Sequence, residues 1–299
     1  MPSDAEKTSD FWGVNRRGGR TNWMEHPAVA AFAHRRITGD PKLGTYLYWI
    51  RKYFAQPAPL ALSLGCGFGR FERDWVRVNA VSRFHALDIS EAAITAARQE
   101  AAKVGFAERI EYRVADLNKL ELPAARYDAI FAIMSAHHVY GLENYFKQCR
   151  QALKPGAFLF LDEYIGPSRI QCPPLIVNAI NRIREILPEP YRRNAFHDGK
   201  SVTYANETIE NFEKTDPSEA IRSAEIVSTM KLHFDIVELK PYGGEIQHML
   251  LQGLAGNFDE NNPTDVAMLH LIGFLEEFLE ECGGIQSDFA AIVARPKPT

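Results

Sequence analysis

The sequence predicts an α/β fold, an open and mostly parallel sheet with helices on both faces. Three observations predict it. Short apolar runs alternate with longer helical patterns from residue 60 to residue 164. The first run, Leu60-Ala61-Leu62-Ser63-Leu64, has the near-continuous hydrophobicity of a strand buried on both faces. It ends in Gly65-Cys66-Gly67-Phe68-Gly69, where glycine at alternate positions lets backbone pass close to a ligand, and a helical pattern starts at Arg70.

Taken in order, residues 1–10 are polar, which predicts a frayed end. Residues 11–26 mix aromatics with arginines (Trp12, Arg16, Arg17, Arg20, Trp23). With a net charge of −4 over the whole chain, that mixture reads as a lid or cap rather than a nucleic-acid arm. A helix over 27–37 starts at Pro27, a residue suited to a first helical turn, and stops at Thr38-Gly39-Asp40-Pro41. A second, aromatic-rich helix is expected over 42–54. Pro57 and Pro59 end this segment, so 1–57 reads as a helical cap or lid ahead of a domain over 58–299.

Within that domain, strands are predicted at 60–65, 83–88, 109–115, 127–134 and 157–164, with helices at 70–78, 91–104 and 143–153. The 91–104 helix is marked by Ser90 as N-cap, Glu91 in the first turn and Gly105 after the end. Residues 166–231 break the alternation. They carry Pro167, Pro173, Pro174, Pro188 and Pro190, with helices expected near 175–187 and 218–231, and read as a substrate-binding lid inserted after the fifth strand. A sixth strand is expected at 234–239 and a last one at 288–294. The amphipathic helix at 264–282 offers either a core-packing face or a homodimer surface.

Composition narrows the function classes. A chain of 299 residues with 46% hydrophobic content has room for one large domain or two small ones. The four cysteines, Cys66, Cys149, Cys172 and Cys282, form no C-x-x-C pair, which argues against a zinc ribbon or a dithiol site and for a reduced, cytoplasmic chain. There is no apolar run of the ~18 residues that span a bilayer, so no membrane partner is expected. The missing basic surplus argues against nucleic acid as a partner.

The second strand, Phe84-His85-Ala86-Leu87-Asp88, ends in an acid about 20 residues past the glycines, the spacing at which a carboxylate meets ribose hydroxyls. Asp88, Asp116 and Ser135-Ala136-His137-His138 all follow strand ends. In a parallel sheet those ends share one rim, where ligands bind. The dinucleotide fingerprint G-x-G-x-x-G would need glycine at Arg70. That departure disfavours an NAD(P)-dependent oxidoreductase, which stands as an alternative.

These residues resemble the class I S-adenosylmethionine-dependent methyltransferases. Leu64-Gly65-Cys66-Gly67-Phe68-Gly69 is similar to that family's first motif, Asp88 to its ribose-binding acid, and Ala115-Asp116-Leu117 to its adenine-contacting segment. The run from Tyr127 to Met134 with Ser135, His137 and His138 resembles its fourth strand and the loop beside the donor methionine. Leu153-Lys154-Pro155-Gly156-Ala157 resembles the turn before its fifth strand. The resemblance covers roughly 58–166. It implies a Rossmann-like seven-stranded sheet with the last strand antiparallel, and S-adenosylmethionine as cosubstrate. By the same resemblance, Gly65, Cys66, Gly67, Gly69, Asp88, Ile89, Asp116, Leu117, Met134 and Ser135 surround it. One departure is Ser63, where the family has an acid two residues before the first glycine. It keeps open a second reading, a non-catalytic donor-binding regulator on the same fold.

For transfer chemistry, His138 and His137 are the candidate general bases, because a neutral imidazole takes up a proton near pH 7. Glu163 and Tyr164, after the fifth strand, are candidates for facing a small-molecule acceptor. Asp162 and Glu163 are adjacent and point to opposite sides of the strand, so only one can face the site. Arg169, Arg192 and Arg193 offer paired hydrogen bonds to an acidic acceptor, or lie on a solvated face. Asp162 beside Glu163 is too small a carboxylate set to imply a metal.

Overall fold

The computed structural model describes residues 3–14 and 22–298. Its strands are β1 (Ala61–Leu64), β2 (Phe84–Asp88), β3 (Ile110–Val114), β4 (Tyr127–Ile133), β5 (Leu153–Tyr164), β6 (Phe234–Gly243) and β7 (Phe289–Pro296). They form one seven-stranded sheet in the order β3-β2-β1-β4-β5-β7-β6. The β1 to β5 pairings are parallel, and β7 runs antiparallel between β5 and β6. The chain reverses its direction of travel across the sheet between β1 and β4, the switch point where ligands of open α/β sheets bind.

The helices are α1 (Asp4–Val14), α2 (Pro27–Thr38), α3 (Thr45–Tyr53), α4 (Arg70–Arg77), α5 (Glu91–Lys103) and α6 (Leu142–Ala152). After β5 come α7 (Pro174–Ile186), α8 (Ile209–Thr215), α9 (Ile226–Met230), α10 (Gln247–Leu251) and α11 (Pro263–Glu281). Among the described residues, none of these is long and apolar enough to cross a membrane.

Alternation along the central strands builds two cores. Ala61, Phe131 and Phe160 point to one face with Trp75 of α4, Ile94 of α5 and Trp49 of α3. Leu62, Leu64, Ile130 and Leu161 point to the other with Phe146 of α6 and Met230 of α9. Trp49 lies 5.3 Å from the Phe160 ring and α2 packs beside β6, so the segment before β1 shares the core of the sheet.

Several boundaries differ from the sequence-based expectation. Residues 4–14 form a helix rather than a frayed end, because α1 docks through Thr8, which is buried, and Trp12. The expected helix over 218–231 is a turn followed by a 3-10 segment, Ser223–Glu225, and the short α9. Strand β5 begins at Leu153, four residues early, since Leu153 already pairs with Tyr127. Helix α11 buries Leu269, Ile272 and Glu276 and leaves Leu271, Phe274 and Phe278 exposed. Arg16, Arg17 and Arg20 lie outside the described residues.

Candidate active site

The glycine turn is shaped by what stands against it. At Gly65, φ is +73° and an added Cβ would lie 2.3 Å from the Cβ of Ser135, so β1 and the β4 loop approach as closely as glycine permits. Ser135 Oγ donates to the Leu64 carbonyl at 2.7 Å, and Met134 occupies the left-handed region at φ +50°. Strain of this kind in a non-glycine residue gathers at functional sites.

A cavity of about 630 Å³ opens at this point, over the carboxyl ends of β1, β2 and β4 and beside the loop after β3. Gly65, Gly67 and Phe68 border it from the glycine turn, Asp88 and Ile89 from the end of β2, and Asp116 and Leu117 from the loop after β3. Met134, Ser135 and His138 close a further side. Helix α1 and Pro217, Ser218 and Ile221 of the insertion cover it.

Asp88 is 9% exposed and accepts from Gly67 N at 2.7 Å and Ser90 N at 2.9 Å. Burial raises its carboxyl pKa above the ordinary value, and those two backbone donors pull against the rise. Asp116 caps its 3-10 turn, accepting from Asn118 N at 2.9 Å, and has Lys119 Nζ at 3.3 Å.

Of the residues singled out from sequence, Gly65, Gly67, Asp88, Ile89, Asp116, Leu117, Met134, Ser135 and His138 border the one cavity. Cys66 and Gly69 do not. Cys66 packs against the core, and Gly69 is the N-cap of α4 at φ +73°, where a Cβ would lie 2.3 Å from the Tyr112 hydroxyl. Glu163 and Tyr164 also lie outside it. The Tyr164 hydroxyl donates to the Pro167 carbonyl at 3.0 Å. Glu163 is fully buried and accepts from Ser135 N at 2.9 Å, Ala136 N at 2.6 Å and the His137 ring. Both carboxylates of the Asp162–Glu163 pair are turned inward, Asp162 accepting from the Tyr242 hydroxyl at 2.7 Å, because β5 is buried on both faces. Arg193 pairs with Glu189, and Arg169 Nη1 donates to the Glu219 carbonyl at 3.1 Å, so neither reaches the cavity.

The two histidines take opposite charge states. Burial lowers the His137 pKa, but the charge of Glu163 and its hydrogen bond outweigh burial, with Glu219 adding to them, and the pKa rises to about 9. His137 is therefore an imidazolium at pH 7, its Nδ1 on Glu163 and its Nε2 3.7 Å from Glu219. For His138, burial and the adjacent His137 charge lower the pKa below 6.5, so this ring is neutral and able to take up a proton. His137, His138 and Glu219 bring donor atoms within 4.8 Å of one another. His137 Nδ1 is held by Glu163, its Nε2 faces Glu219, and His138 Nδ1 lies 3.7 Å from Asp216, so the contacts form an ion-pair network.

Sequence reasoning missed Glu72, Thr8, Asp216 and Ser218. Glu72 of α4 is fully buried, and its Oε1 accepts from the Ser63 hydroxyl. A carboxylate from the helix thus lies against the strand position where the resembled family carries one. The signal was there in outline, an acid in the first turn of α4 opposite a serine, but only packing brings the two together. Thr8 and Asp216 bond across a separation of 208 residues, which no local pattern reports.

Residues 62–161 match the family model described as "Methyltransferase domain". The chain is 27% identical over 182 residues to 27-O-demethylrifamycin SV methyltransferase of Amycolatopsis mediterranei, covering 61% of this chain and 62% of that one. It is 32% identical over 108 residues to the ubiquinone biosynthesis O-methyltransferase of Methylocella silvestris, covering 35% and 41%. The chain thus spans less than two thirds of the length of these relatives. Its fold is similar to that of geranyl diphosphate C-methyltransferase from Streptomyces coelicolor, at a TM-score of 0.56 and 12% identity over 99% of each chain.

Proposed function

We propose that this chain, whose residues 62–161 form a class I S-adenosylmethionine-dependent methyltransferase domain, transfers a methyl group to a small-molecule acceptor with His138 as general base. The observation that carries this is the convergence of the β1, β2 and β4 ends and the loop after β3 on one cavity, with a neutral histidine in its wall. The names of the two relatives denote small-molecule chemistry, which supports the acceptor class.

The cavity suits the cosubstrate by size and by donor set. Its volume falls within the ~300–1,000 Å³ of small-molecule sites. A Cβ on Gly67 would meet nothing within 4 Å, so the backbone there stands open. Asp88 would hold the ribose, Ile89 and Leu117 the faces of the adenine, Asp116 its amino group, and Met134 and Ser135 the methionine end. When bound, S-adenosylmethionine supplies an electrophilic methyl carbon on a positive sulfur.

The chain's own residues do the rest. Helix α1 and the 217–221 turn exclude water, which strengthens every electrostatic contact inside. His138 accepts the proton that the acceptor loses as its nucleophilic atom is methylated. Glu163 and the His137 imidazolium fix the backbone of the 135–138 loop from below, so the base is presented on a rigid support.

Calorimetric titration with S-adenosylmethionine and S-adenosylhomocysteine tests this reading, wild type beside Asp88→Ala. Bonds to a charged group are worth ~1.5–3 kcal/mol each, so the substitution is expected to weaken binding about 100-fold. A folded wild type that binds neither ligand, or an Asp88→Ala protein that binds as well as wild type, would overturn it.

A further inference from the structure

His138 ends a chain of hydrogen bonds whose proton directions can be counted. Asp216 is 2% exposed, and an ionised carboxylate only accepts. Its Oδ1 accepts from Ser218 Oγ at 2.7 Å, Ser218 N at 3.1 Å and Thr8 Oγ1 at 3.0 Å. Its Oδ2 accepts from Trp12 Nε1 at 2.9 Å. Thr8 Oγ1 also lies 3.3 Å from Ser218 Oγ. With the Ser218 hydroxyl proton on the shorter, charged partner Asp216, Oγ accepts at its 2.9 Å contact with His138 Nδ1. That direction puts the ring hydrogen on Nδ1 and the lone pair on Nε2. In water a neutral histidine favours the opposite tautomer, with hydrogen on Nε2, so the protein is imposing a choice.

The turn that carries Asp216 and Ser218 is held from both sides. Ile221 N donates to the His137 carbonyl at 3.1 Å, Arg169 N to the Ala220 carbonyl at 2.7 Å, and Ser223 Oγ to the Gly166 carbonyl at 2.9 Å. Three non-glycine residues there sit at positive φ: Arg169 at +59°, Ile170 at +50° and Ala220 at +47°. Such conformations persist only where the surroundings over-determine them. On the other side of Asp216 stands α1, which supplies both Thr8 and Trp12 and covers the donor cavity. The Trp12 indole also meets the His138 ring edge-on, with centroids 5.3 Å apart.

We propose that Asp216 is a positioning residue that acts through Ser218 Oγ to fix the tautomer of His138 and aim Nε2 at the cavity, and that α1 holds Asp216 in place, so covering the donor and orienting the base are one arrangement. This rests on the reading of His138 as the base. The geometry assigns α1 two tasks, one as a wall and one as the far end of the hydrogen-bond chain.

The test is nitrogen-15 NMR of the full chain labelled at histidine, read at pH 7.5, with the His138 signals identified by their loss in His138→Gln. Expected in the wild type is a ring with Nδ1 protonated and Nε2 bare. A single hydrogen bond is worth ~1 kcal/mol, so Ser218→Ala and Asp216→Asn should each shift the tautomer ratio about fivefold or more toward Nε2–H. Trp12→Phe keeps the ring and loses the N–H, and should shift it in the same direction by less. This third variant also keeps the test alive if Asp216→Asn fails to fold. A wild type already carrying hydrogen on Nε2, or an unchanged ratio in Ser218→Ala, would overturn the proposal. An unchanged ratio in Trp12→Phe would overturn the part assigned to α1. Titration of the same samples with S-adenosylhomocysteine keeps the two readings apart. Loss of donor binding in the wild type strikes the methyltransferase reading, whereas a wrong tautomer in a protein that binds the donor strikes this one alone.

Discussion

Replacing Glu72 by glutamine should stabilise the protein at pH 8 and do so far less at pH 5. The side chain is fully buried; Oε1 is met by the Ser63 hydroxyl, and Oε2 has no hydrogen-bond partner among the described residues. Burial lifts the carboxyl from 4.5 to about 7, against the opposing pull of Ser63 and the helix backbone. Ionising the group in the folded protein is then harder than in the unfolded chain. At ~1.4 kcal/mol per pH unit, the rise from 4.5 to about 7 corresponds to ~3 kcal/mol. Because the folded pKa is the higher one, the folded state binds more protons between those values. The stability carried by the neutral acid is fully present below pH 4.5 and is lost as pH rises through about 7.

Glutamine mimics the protonated acid at every pH, so the difference between variant and wild type isolates this one group. Urea unfolding followed by tryptophan fluorescence and circular dichroism at pH 5 and pH 8 measures it, and Trp75 on the same helix is a buried reporter. Asp162, Glu245 and Asp288, raised to about 6, 7 and 8, bend the wild-type curve the same way but cancel in the difference. Expected is a gain of ~3 kcal/mol at pH 8 and ~0.8 kcal/mol at pH 5. A difference independent of pH, or a variant less stable than wild type at pH 8, would refute the reasoning.

Two further outcomes follow from the loop beneath the cavity. Gly65→Ala forces a Cβ to within 2.3 Å of Ser135 at a φ of +73°, so thermal melts should show a loss of ~2–4 kcal/mol, and an unchanged melting temperature would contradict the close approach. Glu163→Gln should lower stability by ~3 kcal/mol at pH 6 and by much less at pH 10. The pairing with Glu163 that raises His137 to about 9 is fully present below pH 6.5 and lost as pH rises through about 9; equal losses at both pH values would remove the ion pair as the cause.

Much of the donor side was legible in the sequence because its residues sit at fixed offsets from strand ends. Leu60 to Leu64 reads as a buried strand, the alternate glycines as a close turn and Asp88 as the end of β2, and all three are local patterns. The base side was legible only as a pair of histidines. Which of them is neutral depends on Glu163, 26 residues from His137, and on the burial of His138 beside that charged ring; which nitrogen His138 offers depends on Ser218, 80 residues away. Helix α1 was unreadable as a helix because its residues are polar. Its order comes from docking on Asp216, more than 200 residues away.

The sequence by itself determined the α/β alternation, the parallel order of strand and helix, and the rim on which Asp88, Asp116 and His138 meet. Those follow from side-chain periodicity and turn chemistry, which act over a few residues. Tertiary structure alone decided that Glu163 supports the loop rather than facing the acceptor, that Glu72 stands against Ser63, and that α1 and Asp216 bear on His138. Each of those depends on burial and on charges brought together from distant parts of the chain, and both exist only once the two cores have closed around the sheet.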